Sequence, residues 1–320
     1  MERLTDKKIA VIGIGGVGGY LGALLADKYP NVSFVARAGR KTSIEENGLV
    51  LHSDYRGEKV VHPMQVAASA KELEPQDYIF ICVKNYSLED VCRDLDGCLK
   101  ADTVIIPVMN GADPGERTRQ MVPKGIVLDS LIYIVAFANP DYAITQQGMF
   151  STIHLGLPGV HPQDEGEETQ KMKEAHQLLS DAGVDCFMAE DISREIWKKY
   201  IFNCAYNVES AAYNNAIGEI RKDKTKTAQF EALILEAYEV AKAKHIHVTQ
   251  EDIDALLHRF REELADDATS SLQRDVNARR TTELETFSGY LVREARRLGV
   301  AAPVSEMMYK KLREIIVQHA

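Results

Sequence analysis

The chain of 320 residues lacks several features that would point away from an ordinary cytoplasmic protein. No apolar run reaches the length needed to span a bilayer. The start, MERLTDKKIAVIGIGG, runs a short apolar stretch straight into a glycine turn rather than a cleavage site, so a cytoplasmic location is expected. Cys82, Cys92, Cys98, Cys186 and Cys204 are odd in number and form no CxxC pair, which predicts reduced thiols without a zinc site. His245 and His247 make an HxH without a Cys or acidic ligand at metal-site spacing, so they are expected at the surface and no metal is assigned. Positive charge is not in excess either. The net charge of -10 disfavours nucleic acid or an anionic membrane as the main partner, and leaves room only for a local basic pocket holding a small anion. Internal repeats and low-complexity segments are absent, and HPQDEGEETQKMK (161–173) reads as a solvated loop entering a helix.

What is present is the composition of a globular protein, 45% hydrophobic and 27% charged, at a length that suggests two domains. Short apolar runs, KIAVIGI (8–14), VSFVAR (32–37), DYIFICVK (77–84) and TVIIPVMN (103–110), alternate with helical patterns. Continuous apolar strands separated by helices imply a parallel sheet covered on both faces. The predicted class is α/β: a Rossmann-type doubly wound parallel sheet over residues 1–190, then an all-helical domain over 191–320, with the active site expected in the cleft between them. Residues 126–157 read as further strands at the edge of that sheet. Helices are predicted over 191–215, 225–245, 250–265 and 270–298, with a closing helix after Pro303.

GIGGVG (13–18) follows the first strand and opens a helix. In this GxGxxG arrangement Gly13 permits the tight turn, Gly15 lets backbone approach a pyrophosphate, and Gly18 allows close helix–strand packing. Gly16 and Val17 complete the expected dinucleotide-binding turn at the helix N-terminus. The second strand, NVSFVARAGR (31–40), carries no acid to accept from a ribose 2′-hydroxyl and ends in Arg37, with Arg40 close behind. Paired guanidinium hydrogen bonds suit a 2′-phosphate, so NADPH is the expected cofactor; the plain alternative is that both arginines are solvent-exposed loop residues.

In WKKYIFNCAYN (197–207), Lys199, Asn203 and Asn207 recur every fourth place and share one helical face. Burying them unpaired costs several kcal/mol, so they are expected to line a wet, polar cleft. An ammonium there suits ketone reduction, because it stabilises charge developing on the carbonyl oxygen and then donates a proton. Lys198 points about a hundred degrees away and is expected to snorkel to solvent. Further on, Ser270 and Gln273 form a capping pair, placing Ser271 in a first turn whose free amides and hydroxyl can hold a carboxylate. Asp275 and Arg279, four apart, are expected to pair. Spacing alone leaves Glu283 undecided.

These residues, together with ENGLVL (46–51), CVKNYS (82–87), the pair Asn110–Gly111 and the WxKxxxNxxxN and SSxxxDxxxxRxTE patterns, make the chain resemble the ketopantoate reductase family over its full length. The resemblance implies NADPH-dependent reduction of the ketone of 2-dehydropantoate to (R)-pantoate, a step of pantothenate and coenzyme A biosynthesis. It implies Lys199 as the catalytic lysine and Glu283 as a catalytic glutamate, with Asn203, Asn207 and Ser271 as substrate contacts. It also implies Lys84 and Asn110 as cofactor-cleft residues and Arg37 as the reader of the phosphate. Met109 stands where the family usually has Gln or His, and DSLIYIVAFANP (129–140) lacks the usual small, glycine-bearing strand pattern. The neighbouring alternatives are a reductase or dehydrogenase of another 2-oxo or 2-hydroxy acid or of an opine-type imine, and a dinucleotide sensor without turnover. A small 2-oxo acid is the expected partner. Apolar faces on the last helices can pack within the chain or against a second copy as a homodimer.

Overall fold

The computed structural model describes residues 3–319, in two compact units that divide after Ile192. In the first unit the strands are β1 (Ile9–Ile12), β2 (Val32–Val35), β3 (Leu49–Ser53), β4 (Gly57–Val61), β5 (Gln65–Ala67), β6 (Tyr78–Ile81), β7 (Val104–Pro107), β8 (Ile126–Val127), β9 (Asp129–Ala138), β10 (Ile144–Gly156) and β11 (Asp185–Met188). Its helices are α1 (Gly16–Lys28), α2 (Ala38–Asn47), α3 (Leu88–Asp94), α4 (Pro114–Met121) and α5 (Glu167–Asp181).

Six strands form an all-parallel sheet in the order β5-β2-β1-β6-β7-β8. Buried on both faces, β1, β2 and β6 are the continuous apolar runs that the sequence displays. Alternation divides β1 between two cores: Ile9 and Val11 pack with Leu21 and Leu25 of α1, whereas Ala10 and Ile12 pack with Leu88 and Val91 of α3. The fold is therefore a doubly wound sheet of Rossmann type. Ligands in such sheets bind beyond the carboxyl ends of the strands, where the order reverses.

Residues 126–157 correct one expectation. Only β8 joins the edge of the parallel sheet; β9 and β10 belong to a second sheet, ordered β11-β10-β3-β4 with β9 paired to β10. Ile144 pairs with Leu51 across 93 positions of chain, and α1 contacts strands of both sheets. Gly16 and Gly19 permit this: an added Cβ would lie 2.3 Å from the Ala136 carbonyl oxygen at the first and 2.4 Å from Ile144 at the second.

The second unit is helical: α6 (Ile192–Tyr213), α7 (Ile217–Lys222), α8 (Lys224–Ala243), α9 (Gln250–His258), α10 (Ser271–Asn277), α11 (Tyr290–Leu298) and α12 (Pro303–His319). Caps set several boundaries. The Asp223 carboxylate accepts from Thr225 and Lys226 at the start of α8, Thr249 and Asp252 make a capping box on α9, and Gly299 at φ 70 ends α11. The continuous helix expected over 270–298 is interrupted. After α10 the chain turns through Arg279 at φ 52, has no regular structure to Glu283, and re-enters helix through a π-turn at Glu285–Gly289. Among the described residues no helix is long and apolar enough to cross a membrane.

Candidate active site

In the first unit the turn between β1 and α1 has the features its glycines suggest. Gly13 sits at φ 90, where a side chain is strained, and Gly18 lies so close to the turn that an added Cβ would be 2.0 Å from the Gly13 carbonyl oxygen. Gly15 differs, because an added Cβ would meet nothing within 4 Å. It faces a cavity of about 360 Å³ lined by Gly13, Gly15, Arg37, Arg40, Ser69, Lys84, Tyr86 and Asp94, among others. Gly16, Val17 and Asn110 do not line this cavity; Gly16 is pressed against β9, and Val17 packs on the core. The open space at Gly15, the amides of the α1 N-terminus and two guanidinium groups at one end suit a pyrophosphate and an adenosine ribose.

Arg37 stands at the N-cap position of α2 without a capping hydrogen bond and is exposed, whereas Arg40 is half-buried with its guanidinium 5.1 Å above the Tyr142 ring. Lys84 follows β6 and Asn110 follows β7. A residue not singled out from the sequence links these two loops. Asn85, 6% exposed, donates its carboxamide to the Asn110 carbonyl oxygen at 2.5 Å and accepts from Arg117 Nη1 of α4 at 3.2 Å. Ser69, Tyr86 and Asp94 were likewise not foreseen, since they approach the cavity from separate loops and helices.

The second unit gathers the other group. Lys199 on α6 is partly exposed as a residue, but burial around its ammonium lowers the pKa from 10.5 to about 8, against the opposing charge of Glu283. The surroundings are drier than the wet cleft expected from the sequence. Glu283, 5% exposed, occupies the break before the π-turn, where its carbonyl oxygen accepts from Thr286 at 3.0 Å. The next residue of α6 fixes this arrangement: the buried Tyr200 hydroxyl donates to the Phe287 carbonyl oxygen at 2.6 Å, drawing the π-turn against the helix.

Asn207, 4% exposed, is engaged with α10. Its Oδ1 accepts from the Ser271 hydroxyl at 3.1 Å and from the Leu272 amide at 3.3 Å, while Ser270 caps the Gln273 amide at 3.1 Å. Two first-turn amides expected to be free for a carboxylate are thus already used, and the Ser271 hydroxyl is engaged with Asn207. Asn203 lies half-buried between Lys199 and Asn207 on the same face. Lys198 corrects a further expectation, for it is held by Glu195 at 2.9 Å and lies 3.8 Å from Asp252 instead of reaching into solvent. Asp275 also departs from its expected pairing, with Arg280 rather than Arg279 at 4.0 Å.

Residues 9–158 match the family described as ketopantoate reductase PanE/ApbA, and residues 191–316 match its C-terminal domain family. The chain belongs to the ketopantoate reductase family. It is 28% identical over 305 residues to the "uncharacterized oxidoreductase YkpB" of Bacillus subtilis (strain 168), covering 95% of this chain and 97% of that one. It superposes on the 2-dehydropantoate 2-reductase of Porphyromonas gingivalis W83 with a TM-score of 0.80 at 29% identity, covering 96% and 99% of the two chains. The fold is also shared with D-mandelate dehydrogenase in a ternary structure with NADH and anilino(oxo)acetate, at a TM-score of 0.83, 21% identity and coverage of 98% and 99%. This ketopantoate reductase family member is accordingly an oxidoreductase of the type that acts on a CH–OH group and uses a nicotinamide dinucleotide.

Proposed function

We propose that the protein reduces the ketone of 2-dehydropantoate with NADPH, giving (R)-pantoate. The observation that supports this reading is the burial of the Lys199 ammonium, which lowers its pKa to about 8 against the opposing charge of Glu283. The bound nicotinamide supplies the hydride. Lys199 Nζ holds the substrate carbonyl oxygen, stabilises the negative charge that grows on it, and delivers the proton that completes the alcohol. With a pKa of about 8, this ammonium is roughly nine-tenths protonated at pH 7 and still a better acid than an ordinary lysine. Glu283 supports that charge and accepts from the substrate hydroxyl. The Ser271 hydroxyl turns from Asn207 to the substrate carboxylate, and Asn203 supplies a further donor. Arg37, assisted by Arg40, binds the 2′-phosphate, while Lys84 and Asn110 contact the cofactor nearer its reactive end.

A second reading, reduction of a different 2-oxo acid, draws on Met109, which is buried and apolar next to Asn110 in place of the polar residue usual in the family. Initial rates of NADPH oxidation with 2-dehydropantoate, 2-oxoisovalerate, 2-oxobutyrate and phenylglyoxylate distinguish the two. The highest kcat/KM is expected for 2-dehydropantoate, and a larger value for any other acid refutes the substrate assignment while leaving the reaction type standing.

A further inference from the structure

The cavity that Arg37 overlooks also contains an acid. Asp94, the last residue of α3, lines it together with Arg37, Arg40 and Ser69. The carboxylate accepts from the Ser69 hydroxyl at 2.8 Å and lies 2.9 Å from Lys71 Nζ. These contacts fix its direction: the Asp94 side chain is 22% exposed, whereas that of Lys71 is 69% exposed and reaches in from the surface. The hydrogen bond from Lys71, with help from Ser69 and the charge of Arg37, holds the carboxyl below the usual carboxylate range, so it is ionised at neutral pH. Local structure does not favour an acid here, because the C-terminal end of a helix carries partial negative charge and is better served by a cation.

Resting on the reading of Arg37 as the phosphate-binding residue, we propose that Asp94 limits discrimination between 2′-phosphorylated and unphosphorylated dinucleotides. It does so by placing a fixed negative charge in the pocket that receives the adenosine ribose. Arg37 and Arg40 attract a 2′-phosphate; Asp94 repels it and has little effect on a ribose that carries only hydroxyls. Lys71 offsets part of that repulsion while holding the carboxylate in place. The outcome is a pocket biased toward NADPH but open to NADH, and Asp94 is the residue that sets the ratio.

Fluorescence titration of NADPH and NADH against the wild-type protein, Asp94→Asn, Lys71→Met and Arg37→Ala tests this assignment. Asp94→Asn is expected to lower the NADPH Kd by roughly three- to tenfold and to change the NADH Kd less than about twofold, with the gain shrinking as salt is raised, as for one charge acting within a Debye length. Lys71→Met should move the NADPH Kd the opposite way. Asp94 has no such role if Asp94→Asn leaves NADPH binding unchanged, improves both cofactors equally, or weakens NADH alone, the last assigning the carboxylate to a ribose hydroxyl. Arg37→Ala keeps the two readings apart. A loss confined to NADPH upholds the phosphate site whatever Asp94 does, whereas equal losses for both cofactors remove the phosphate site and the Asp94 proposal with it. Thermal melts of each variant check that binding changes do not reflect unfolding.

Discussion

Replacing Glu283 with Gln should move the alkaline limb of the pH–rate profile to lower pH. Burial takes the Lys199 pKa from 10.5 to about 8, a shift worth about 3.4 kcal/mol against the charged form, and Glu283 is the carboxylate opposing that shift. Loss of one close opposite charge typically moves a pKa by about one to two units. In Glu283→Gln the lysine should therefore titrate near pH 6 to 7, and its protonated fraction at pH 7 should fall from roughly nine-tenths to between about a tenth and a half. The assay is kcat/KM for 2-dehydropantoate reduction from pH 5.5 to 9.5 in wild type and variant, since this parameter reports groups of the free enzyme. Wild type should lose activity above pH 8, about tenfold per unit. The variant should lose it from a lower pH and recover part of the difference below pH 6. If Glu283→Gln scales the rate by one factor at every pH, Glu283 touches substrate without tuning Lys199, and the electrostatic argument fails.

Further expectations concern neighbouring groups. Lys199→Ala should lower kcat by roughly two to four decades, whereas Lys198→Ala, which breaks partly exposed ion pairs with Glu195 and Asp252, should leave kcat within about twofold; steady-state kinetics of the two variants compare them directly. Asn85→Ala should raise the KM for the cofactor several-fold with a smaller effect on kcat, because it releases the Asn110 and Lys84 loops from each other, and Asn85→Gln should not restore the short bond; equal losses in both parameters would count against a positioning role. Glu209, fully buried with both carboxylate oxygens lacking a hydrogen bond, has its pKa raised by burial from 4.5 to about 8 despite Lys311 of α12 and Lys226 of α8, with Asp223 adding to the rise. Between those pH values the unfolded chain gives up this proton and the folded chain keeps it, so stability falls with rising pH by up to about 5 kcal/mol. Urea midpoints for Glu209→Gln should show that slope flattened between pH 5 and 8, and an unchanged slope would place the loss elsewhere.

Local signals made the parallel sheet and several caps readable. The apolar runs at β1, β2, β6 and β7 stand alone as strands, GIGGVG announces the turn that follows the first of them, and Ser270 with Gln273 marks the start of α10. The second sheet was not readable as such, because β10 is defined by pairing with β3 and β11, partners remote in sequence, and nothing in its composition separates it from an edge strand of the first sheet. The break at 278–283 was hidden for a different reason. NARRTTELE contains neither Gly nor Pro to mark a break, and the π-turn that follows is bonded to α6 through Tyr200, a contact remote in sequence. At the candidate site the spacing of Lys199, Asn203 and Asn207 showed that they share a face, but not which partner each meets. The engagement of Asn207 with Ser271 and Leu272, and the link through Asn85, appear only once separate elements are packed together.

The three polar residues of α6 also act as a ruler. At 1.5 Å per residue, Lys199 and Asn207 are separated by about 12 Å along the helix axis, more than the length of a small 2-oxo acid. One short substrate cannot be gripped at both ends of that interval by this helix alone, and at its Asn207 end the helix is joined to α10 through the Ser271 hydroxyl. The register of a single helix therefore sets the distance between the proposed proton donor and the proposed carboxylate contact. One residue inserted between 199 and 207 would turn Asn207 by about 100° and detach it from α10. Side chains along this stretch can be exchanged one at a time with graded effects, but a change in its length would disassemble the site.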